Sequence, residues 1–206
     1  VSPIALYPDS LLSLMLLAST YPLEIAEAYN WRASNSAIKG VDLQNALKAQ
    51  SWNDSVKSLI SFPQAFNMMG SQLQWTQNLG NAYKLQPADT FKPVQALRKR
   101  AVQAGTLKTS PQMTVTTDAA SNILIAPSNA QTVYIPSYNP TVVYGSWPYP
   151  DYPPYPAYNP AWEQLNTPTL MPLLALFKCY SEQKTNFTIG CSLTVCHVGA
   201  KLAFSA

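Results

Sequence analysis

The distribution of proline is the feature that most limits what this chain can fold into. The sequence has 18 prolines in 206 residues. Proline inside a helix removes a hydrogen bond and clashes with the preceding turn, and inside a sheet it removes a ladder bond. Up to residue 105 most prolines are far enough apart to leave room for helices. Between residues 136 and 160, eight prolines are interspersed with tyrosines. This Tyr/Pro tract therefore favours extended polyproline II structure.

Residues 1–108 are predicted to form a compact multi-helix domain, which makes the fold mostly α. Pro22 suits the first position of a helix, where its missing N–H costs nothing. We expect one helix from Pro63 to a stop at Pro87, and a last helix that ends at Gly105. The first helix, capped by Asp9 or Ser10, is apolar around most of its surface. We therefore expect it to be central and buried, with the core residues Leu12, Met15 and Leu16.

The periodicity changes after the helical domain. Residues 109–145 are predicted to form a small β unit packed on that domain. Apolar and polar residues alternate over 113–117, and an apolar run follows at 123–125 after a turn signal. Residues 132–135 are a third β-rich run. The unit is therefore either a hairpin or a three-stranded sheet.

Residues 146–160 are predicted to be an extended Tyr/Pro-rich arm. Aromatic rings on a stiff backbone can bind a partner at small entropic cost. One interpretation is that this region binds a partner through Tyr138, Tyr144, Trp147, Tyr149, Tyr152 and Tyr155. The other interpretation, equally open from the sequence, is that the rings pack on the chain's own helical domain.

Several ordered motifs resemble one bacterial family. They are residues 3–12 (PIALYPDSLL), 18–24 (ASTYPLE), 50–57 (QSWNDSVK), 62–63 (FP), 74–76 (QWT), 79–80 (LG), 133–140 (VYIPSYNP) and 143–145 (VYG). Over about residues 3–160 the chain resembles the uncharacterised family called domain of unknown function 3300. The resemblance implies bacterial origin, export by a signal peptide and a place in the periplasm or outer envelope, often as a lipoprotein. It implies no established activity and no catalytic residues.

Targeting and membrane signals are weak in the sequence itself. No charged region precedes the first apolar run, so we expect the implied signal peptide to lie outside this sequence. That run, 11–18, is eight residues long, whereas a membrane span needs about 20. The sequence therefore predicts no transmembrane helix.

Charge and composition exclude several functional classes. A net charge of +3 with no long basic run does not fit a dedicated nucleic-acid binder, which makes about six or more phosphate contacts. Residues 1–160 contain no His and no Cys, which excludes histidine acid–base chemistry, thiol nucleophiles and most zinc sites there. We find no phosphate-binding glycine loop and no nucleophile elbow. The sequence predicts no catalytic residue, no metal and no cofactor.

Two groups of polar residues remain as candidates for chemistry. Glu24 and Glu27 lie one turn apart, whereas a glycosidase pair faces across about 5–9 Å and usually comes from different elements. We interpret them as residues that stabilise the helix dipole and form a polar face. Ser55, Lys57 and Ser58 lack the order of a serine–lysine nucleophile pair, and they are predicted to lie on a solvated helix face.

Basic and tryptophan residues also allow two interpretations each. The basic run 98–100 (RKR) lies near a predicted helix end, where cations are favourable. We predict that it is solvated, and contact with a membrane surface or polyanion is the alternative. Three tryptophans are expected to anchor the core, with a sugar-binding groove as the alternative: Trp31, Trp52 and Trp75.

Residues 161–206 form a tail whose native status the sequence leaves open. The abrupt change of composition is what a shifted reading frame would produce. The tail holds Cys179, Cys191, Cys196 and His197, so a Cys191–Cys196 disulfide or a zinc site are the other interpretations. We predict that these four residues are dispensable for the fold.

These observations favour a non-enzymatic bacterial envelope protein with a scaffold or interaction role. Its predicted partner is another envelope protein or a cell-wall component, and its oligomeric state is open. The alternative is a cell-wall carbohydrate-binding protein or hydrolase that uses carboxylates such as Glu24. The small number of catalytic groups favours the first hypothesis.

Overall fold

The computed structural model describes residues 1–129, 132–147, 151 and 153–154. It is mostly helical, as predicted, with one small two-stranded hairpin. The helices are α1 (Asp9–Ala18), α2 (Pro22–Ser34), α3 (Gly40–Lys48), α4 (Asp54–Leu59), α5 (Pro63–Ser71), α6 (Leu73–Leu85), α7 (Pro87–Gln103) and α8 (Pro140–Val143). The strands, which lie between α7 and α8, are β1 (Met113–Thr117) and β2 (Ile123–Pro127).

Prolines and short caps determine where these helices begin. Pro22, Pro63 and Pro87 each occupy the first turn of a helix, where a backbone N–H has no intrahelical acceptor. The Asn53 side chain accepts a hydrogen bond from the Ser55 N–H and caps α4. These local signals explain most of the helix boundaries.

The prediction of one helix from Pro63 to Pro87 is wrong. The chain breaks at Gln72, whose φ of −120° and ψ of 56° are not helical. The Thr76 hydroxyl bonds back across this break to the Met69 carbonyl at 2.8 Å. After the break, α6 crosses the end of α1 so closely that a Cβ on Gly80 would collide with the Ser19 carbonyl. The sequence pattern therefore predicts the helical character of this stretch but not its division at Gln72.

Helix α1 lies in the centre of the core. It packs against α4, α6 and β2. Leu12, Met15 and Leu16 are buried as predicted, with exposures of 1%, 0% and 0%. An exposed helix buries one stripe of its surface, whereas α1 is contacted from several sides and therefore needs apolar residues on most of its surface.

The β unit is a hairpin in the part of the chain that the structure describes. Strands β1 and β2 are antiparallel, with Val115 opposite Ile125. The third β-rich run, 132–135, forms no strand there, and only an isolated bridge joins Asn129 to Thr132. A two-stranded sheet needs further packing to be stable, and β2 obtains it by contacting α1 and α7.

Within the described residues, no single helix has the length and apolar character to cross a membrane. Helices α1 and α2 reach the length and apolar composition of a membrane span only when they are counted together, and they are bent by 103° relative to each other.

Candidate functional site

The segment before α1, residues 2–8, is buried although it is neither a regular helix nor a strand. We call it the N-terminal segment. Ile4 and Ala5 are fully buried, and Leu6 and Tyr7 are 4% and 6% exposed. A buried irregular backbone must have its carbonyl and N–H groups satisfied by other parts of the protein. The side chains that satisfy it come from α7 and from the Tyr/Pro tract.

Arg98 of α7 binds this segment from one side. Its guanidinium donates to the Ala5 carbonyl at 2.7 Å and to the Tyr7 carbonyl at 3.0 Å. It also donates to the Ile123 carbonyl at 2.8 Å and forms an ion pair with Asp9 at 2.6 Å. Arg98 is 1% exposed. The predictions of a solvated helix end or a membrane contact are therefore wrong for Arg98, because all its donors are directed into the protein.

Asp9 connects Arg98 to the hairpin. Its second carboxylate oxygen accepts a hydrogen bond from the Ile125 N–H at 2.9 Å. The sequence predicts Asp9 or Ser10 as a helix cap, but neither caps α1: Pro8 holds the cap position, with no side-chain cap bond. The carboxylate serves instead to join α1, α7 and β2. Sequence reasoning missed this role because the partners lie 89 and 116 positions away.

Two tyrosines of the Tyr/Pro tract bind the N-terminal segment from the other side. The Tyr138 and Tyr144 hydroxyls both donate to the Ser2 carbonyl, at 3.0 and 2.6 Å. Tyr138 also accepts a hydrogen bond from the Leu6 N–H at 3.3 Å. The rings of Tyr7 and Tyr138 meet edge to face at 6.3 Å. Burial raises the pKa of each of these three tyrosines, so their hydroxyls stay neutral and able to donate hydrogen bonds.

Residues 136–147, which we call the anchor, are also attached to the end of α7. The Arg100 guanidinium donates to the Tyr144 carbonyl at 3.3 Å and to the Ser146 carbonyl. The Thr106 hydroxyl donates to the Val143 carbonyl at 2.6 Å. Within the anchor, the Asn139 side chain caps α8 by accepting from the Thr141 N–H. The anchor is thus held both by the N-terminal segment and by α7.

The six residues predicted to bind a partner therefore fall into two groups. Tyr144 is 1% exposed and Tyr138 is partly buried, so both pack on the chain's own domain. Trp147 is partly buried, with its ring 6.2 Å from that of Tyr144. The Tyr138 and Tyr144 hydroxyls are already bound within the chain, whereas for Trp147 partner binding stays a prediction. The other three lie outside the described residues, and for them binding stays a prediction: Tyr149, Tyr152 and Tyr155.

The carboxylates considered for catalysis bind the loop between α3 and α4 instead. Glu24 accepts a hydrogen bond from the Asn53 N–H at 2.5 Å. Glu27 accepts one from the indole N–H of Trp52 at 3.2 Å. The two carboxylates of α2 thus fix one loop and do not face each other across a cleft. This loop-fixing role was not foreseen, because only the tertiary fold brings Trp52 and Asn53 next to α2.

The remaining candidates also have structural roles. Trp52 and Trp75 are 7% and 8% exposed, and Trp31 packs edge to face on Trp52, as expected for core anchors. Ser55 is buried and donates to the Asn53 side chain at 2.7 Å, so the prediction of a solvated face is wrong for Ser55. Lys57 is 3.8 Å from Asp54. The described ranges hold no group of three or more residues suited to bind a metal ion, and the tail cysteines and His197 lie outside them.

The fold and these contacts define a class: a mostly helical domain, with a hairpin, that binds the start of its own Tyr/Pro tract, residues 136–147. The chain belongs to the family described as "protein of unknown function (DUF3300)", whose model matches residues 1–191. The match extends beyond residue 160, where the sequence resemblance was placed, and includes Cys179 and Cys191. The expectation that the family region ends before these cysteines is therefore wrong.

One curated relative is similar to most of this chain. The chain is 41% identical over 194 residues to a protein of Escherichia coli (strain K12) named "uncharacterized protein YacH". The match includes 79% of this chain but only 31% of that relative. The chain thus spans about a third of the relative's length. No solved structure matches the chain.

Proposed function

We propose that this chain is a non-enzymatic interaction module of an exported bacterial envelope protein. The module holds the start of the Tyr/Pro tract in place and presents the following arm to another envelope component. The observation that carries the proposal is the anchor: Tyr138 and Tyr144 bind the Ser2 carbonyl, and Arg100 binds the backbone at Tyr144 and Ser146. The chain is therefore fixed on the domain up to Ser146, just before the rest of the arm.

The composition of the arm supports a binding role. Beyond the anchor, residues 148–160 of the arm contain six prolines and four tyrosines. Proline limits the conformations of the free chain, so less entropy is lost when a partner orders it. Tyrosine provides a large contact area with few rotatable bonds. A segment of this kind suits an aromatic-lined groove or a sugar surface, and both occur in the envelope.

The hydrolase alternative has no geometric support among the described residues. A retaining or inverting glycosidase needs two carboxyl groups on opposite sides of a substrate cleft. Glu24 and Glu27 come from one helix and bind the loop at Trp52 and Asn53. Asp9 is bound to Arg98 and the Ile125 N–H. These carboxylates are already used as structural acceptors.

The test uses in-cell crosslinking. A photoreactive amino acid is placed at Tyr152 in the full-length protein of the source bacterium, with placement at Tyr134 as the control. Tyr134 is 38% exposed and precedes the anchor. We expect a defined crosslinked species from position 152 in the envelope fraction. The control position should not give that species.

A second arm of the experiment separates partner binding from localisation. Changing Tyr149, Tyr152 and Tyr155 to Ser should abolish recovery of the crosslinked partner while the protein stays in the envelope fraction. Recovery of the same partner by both proteins would reject the binding role of the arm. Finding the unaltered protein in the cytosol would reject the envelope location. Pelleting with purified cell wall distinguishes a glycan from a protein partner.

A further inference from the structure

The N-terminal segment and the anchor are joined directly, although they are far apart in the sequence. The Tyr138 and Tyr144 hydroxyls reach the Ser2 carbonyl across 136 and 142 positions. The Leu6 N–H reaches Tyr138 across 132 positions. All the residues of α1 to α7 and of the hairpin lie between these two points in the chain. We call this set of contacts the clasp.

The clasp is buried and uncharged. Tyr144 is 1% exposed, Ser2 is 6% exposed, and the two tyrosine hydroxyls lie 3.2 Å apart. Hydrogen bonds that are shielded from water rupture slowly, because water cannot replace them until the ring has left its pocket. Neutral donors and acceptors are also little affected by salt. The clasp is therefore a closed contact under a wide range of conditions.

The position of the clasp determines how tension passes through the chain. A pull on the N-terminal side acts on Ser2 almost at once. A pull on the arm acts first on Ser146, which Arg100 binds, and then on Tyr144. The shortest connection between these two points is the clasp itself. The C-terminal part of α7 lies beside this connection, because Arg100 binds the anchor and Arg98 binds the N-terminal segment. Helices α1 to α6 lie outside it, so they carry no tension while it is closed.

We propose that the clasp is a mechanical device: together with the end of α7, it lets tension between the N-terminal side and the arm bypass helices α1 to α6. The domain then stays folded while the chain on either side of it is loaded. This inference goes beyond the proposed function and does not depend on a partner for the arm. It applies to any setting in which both ends of the module are held.

The test is single-molecule force spectroscopy on the full chain, with handles at its two ends. The variants Tyr144→Phe and Tyr138→Phe each remove one clasp hydroxyl and keep the ring. At constant force we expect the clasp to open about tenfold faster in each variant, as for the loss of one buried hydrogen bond. A short extension for residues 138–147 should precede the larger extension of the helical domain.

Two control variants make the test specific. Tyr134→Phe removes a hydroxyl from a neighbouring tyrosine that is 38% exposed and outside the clasp. Ile25→Val shortens a fully buried side chain of α2 and lowers equilibrium stability without touching the clasp. Neither should change the first opening rate. The proposal is overturned if either control speeds it as much as Tyr144→Phe, or if both clasp variants open at the unaltered rate. Since Tyr138 is less buried than Tyr144, Tyr138→Phe keeps the test decisive should Tyr144→Phe not fold.

Discussion

Replacing Arg98 by Met should destabilise the domain more than any other single change on α7. The guanidinium makes four contacts: one with the Asp9 carboxylate and three with the carbonyls of Ala5, Tyr7 and Ile123. Removing one partner of a buried ion pair costs about 3–5 kcal/mol, and the cost here lies at the lower end because the Asp9 side chain is 35% exposed. Each buried carbonyl left without a donor costs a further amount of about 1–3 kcal/mol.

The apolar stem of Met fills part of the space and recovers some packing energy. We therefore expect Arg98→Met to lower the free energy of unfolding by about 4 kcal/mol or more, which is a large part of the about 5–15 kcal/mol of a typical domain. Arg98→Lys keeps the charge but cannot serve four acceptors from one ammonium group. For this variant we expect a loss of about 2–3 kcal/mol.

The assay is urea unfolding followed by far-ultraviolet circular dichroism, with Lys99→Met as the matched control. Lys99 is the next residue of α7 and is exposed, so its replacement should change stability by less than about 0.5 kcal/mol. A double-mutant cycle with Asp9→Asn should show a coupling of about 1–3 kcal/mol. If Arg98→Met and Lys99→Met unfold at the same urea concentration, the reasoning about the buried guanidinium is refuted.

Three further predictions concern packing and pH. Leu16→Ala should cost about 2–5 kcal/mol, because Leu16 is fully buried in α1; an unchanged melting temperature would contradict its core position. Gly80→Ala should destabilise by about 1–3 kcal/mol despite the better helix propensity of Ala, because its Cβ would collide with the Ser19 backbone; greater stability in urea would contradict that close approach. Burial raises the pKa of three tyrosines above their ordinary value of about 10. Their contribution to stability is therefore complete below pH 10 and falls as pH rises further, since the unfolded chain loses these protons first. The three tyrosines are Tyr7, Tyr138 and Tyr144. Absorbance at 295 nm should show that they ionise only when the protein unfolds. If they ionise at the same pH as the exposed tyrosines, their burial around the clasp is contradicted.

Much of the local structure follows from short-range signals in the sequence. Pro22 and Pro63 start helices because a proline in the first turn of a helix sacrifices no intrahelical hydrogen bond. The central position of α1 follows from its all-round apolar surface. Gly105, expected just beyond the last helix, has a φ of +73°, which glycine adopts without strain. Each of these signals acts within one or two turns of the chain.

The candidate site could be predicted only in part. The sequence identifies the Tyr/Pro tract as unusual and leaves open whether its tyrosines face a partner or the domain. The structure places Tyr138 and Tyr144 on the domain. Whether these tyrosines face the domain depends on the buried backbone carbonyl of Ser2, which accepts their hydrogen bonds. No local sequence pattern shows that this carbonyl needs a donor from outside its own segment.

The sequence by itself determined the fold class, the helix starts at Pro22 and Pro63 and the presence of a small β unit, because those features depend on neighbours a few residues away. Only the tertiary structure decided that Arg98 is a buried hydrogen-bond donor rather than a solvated residue near the end of a helix. Its acceptors lie 25 to 93 positions away along the chain. It likewise decided that Glu24 fixes the loop at Asn53. A charged side chain looks the same in the sequence whether water or a buried carbonyl receives its hydrogen bonds, and long-range packing makes that choice.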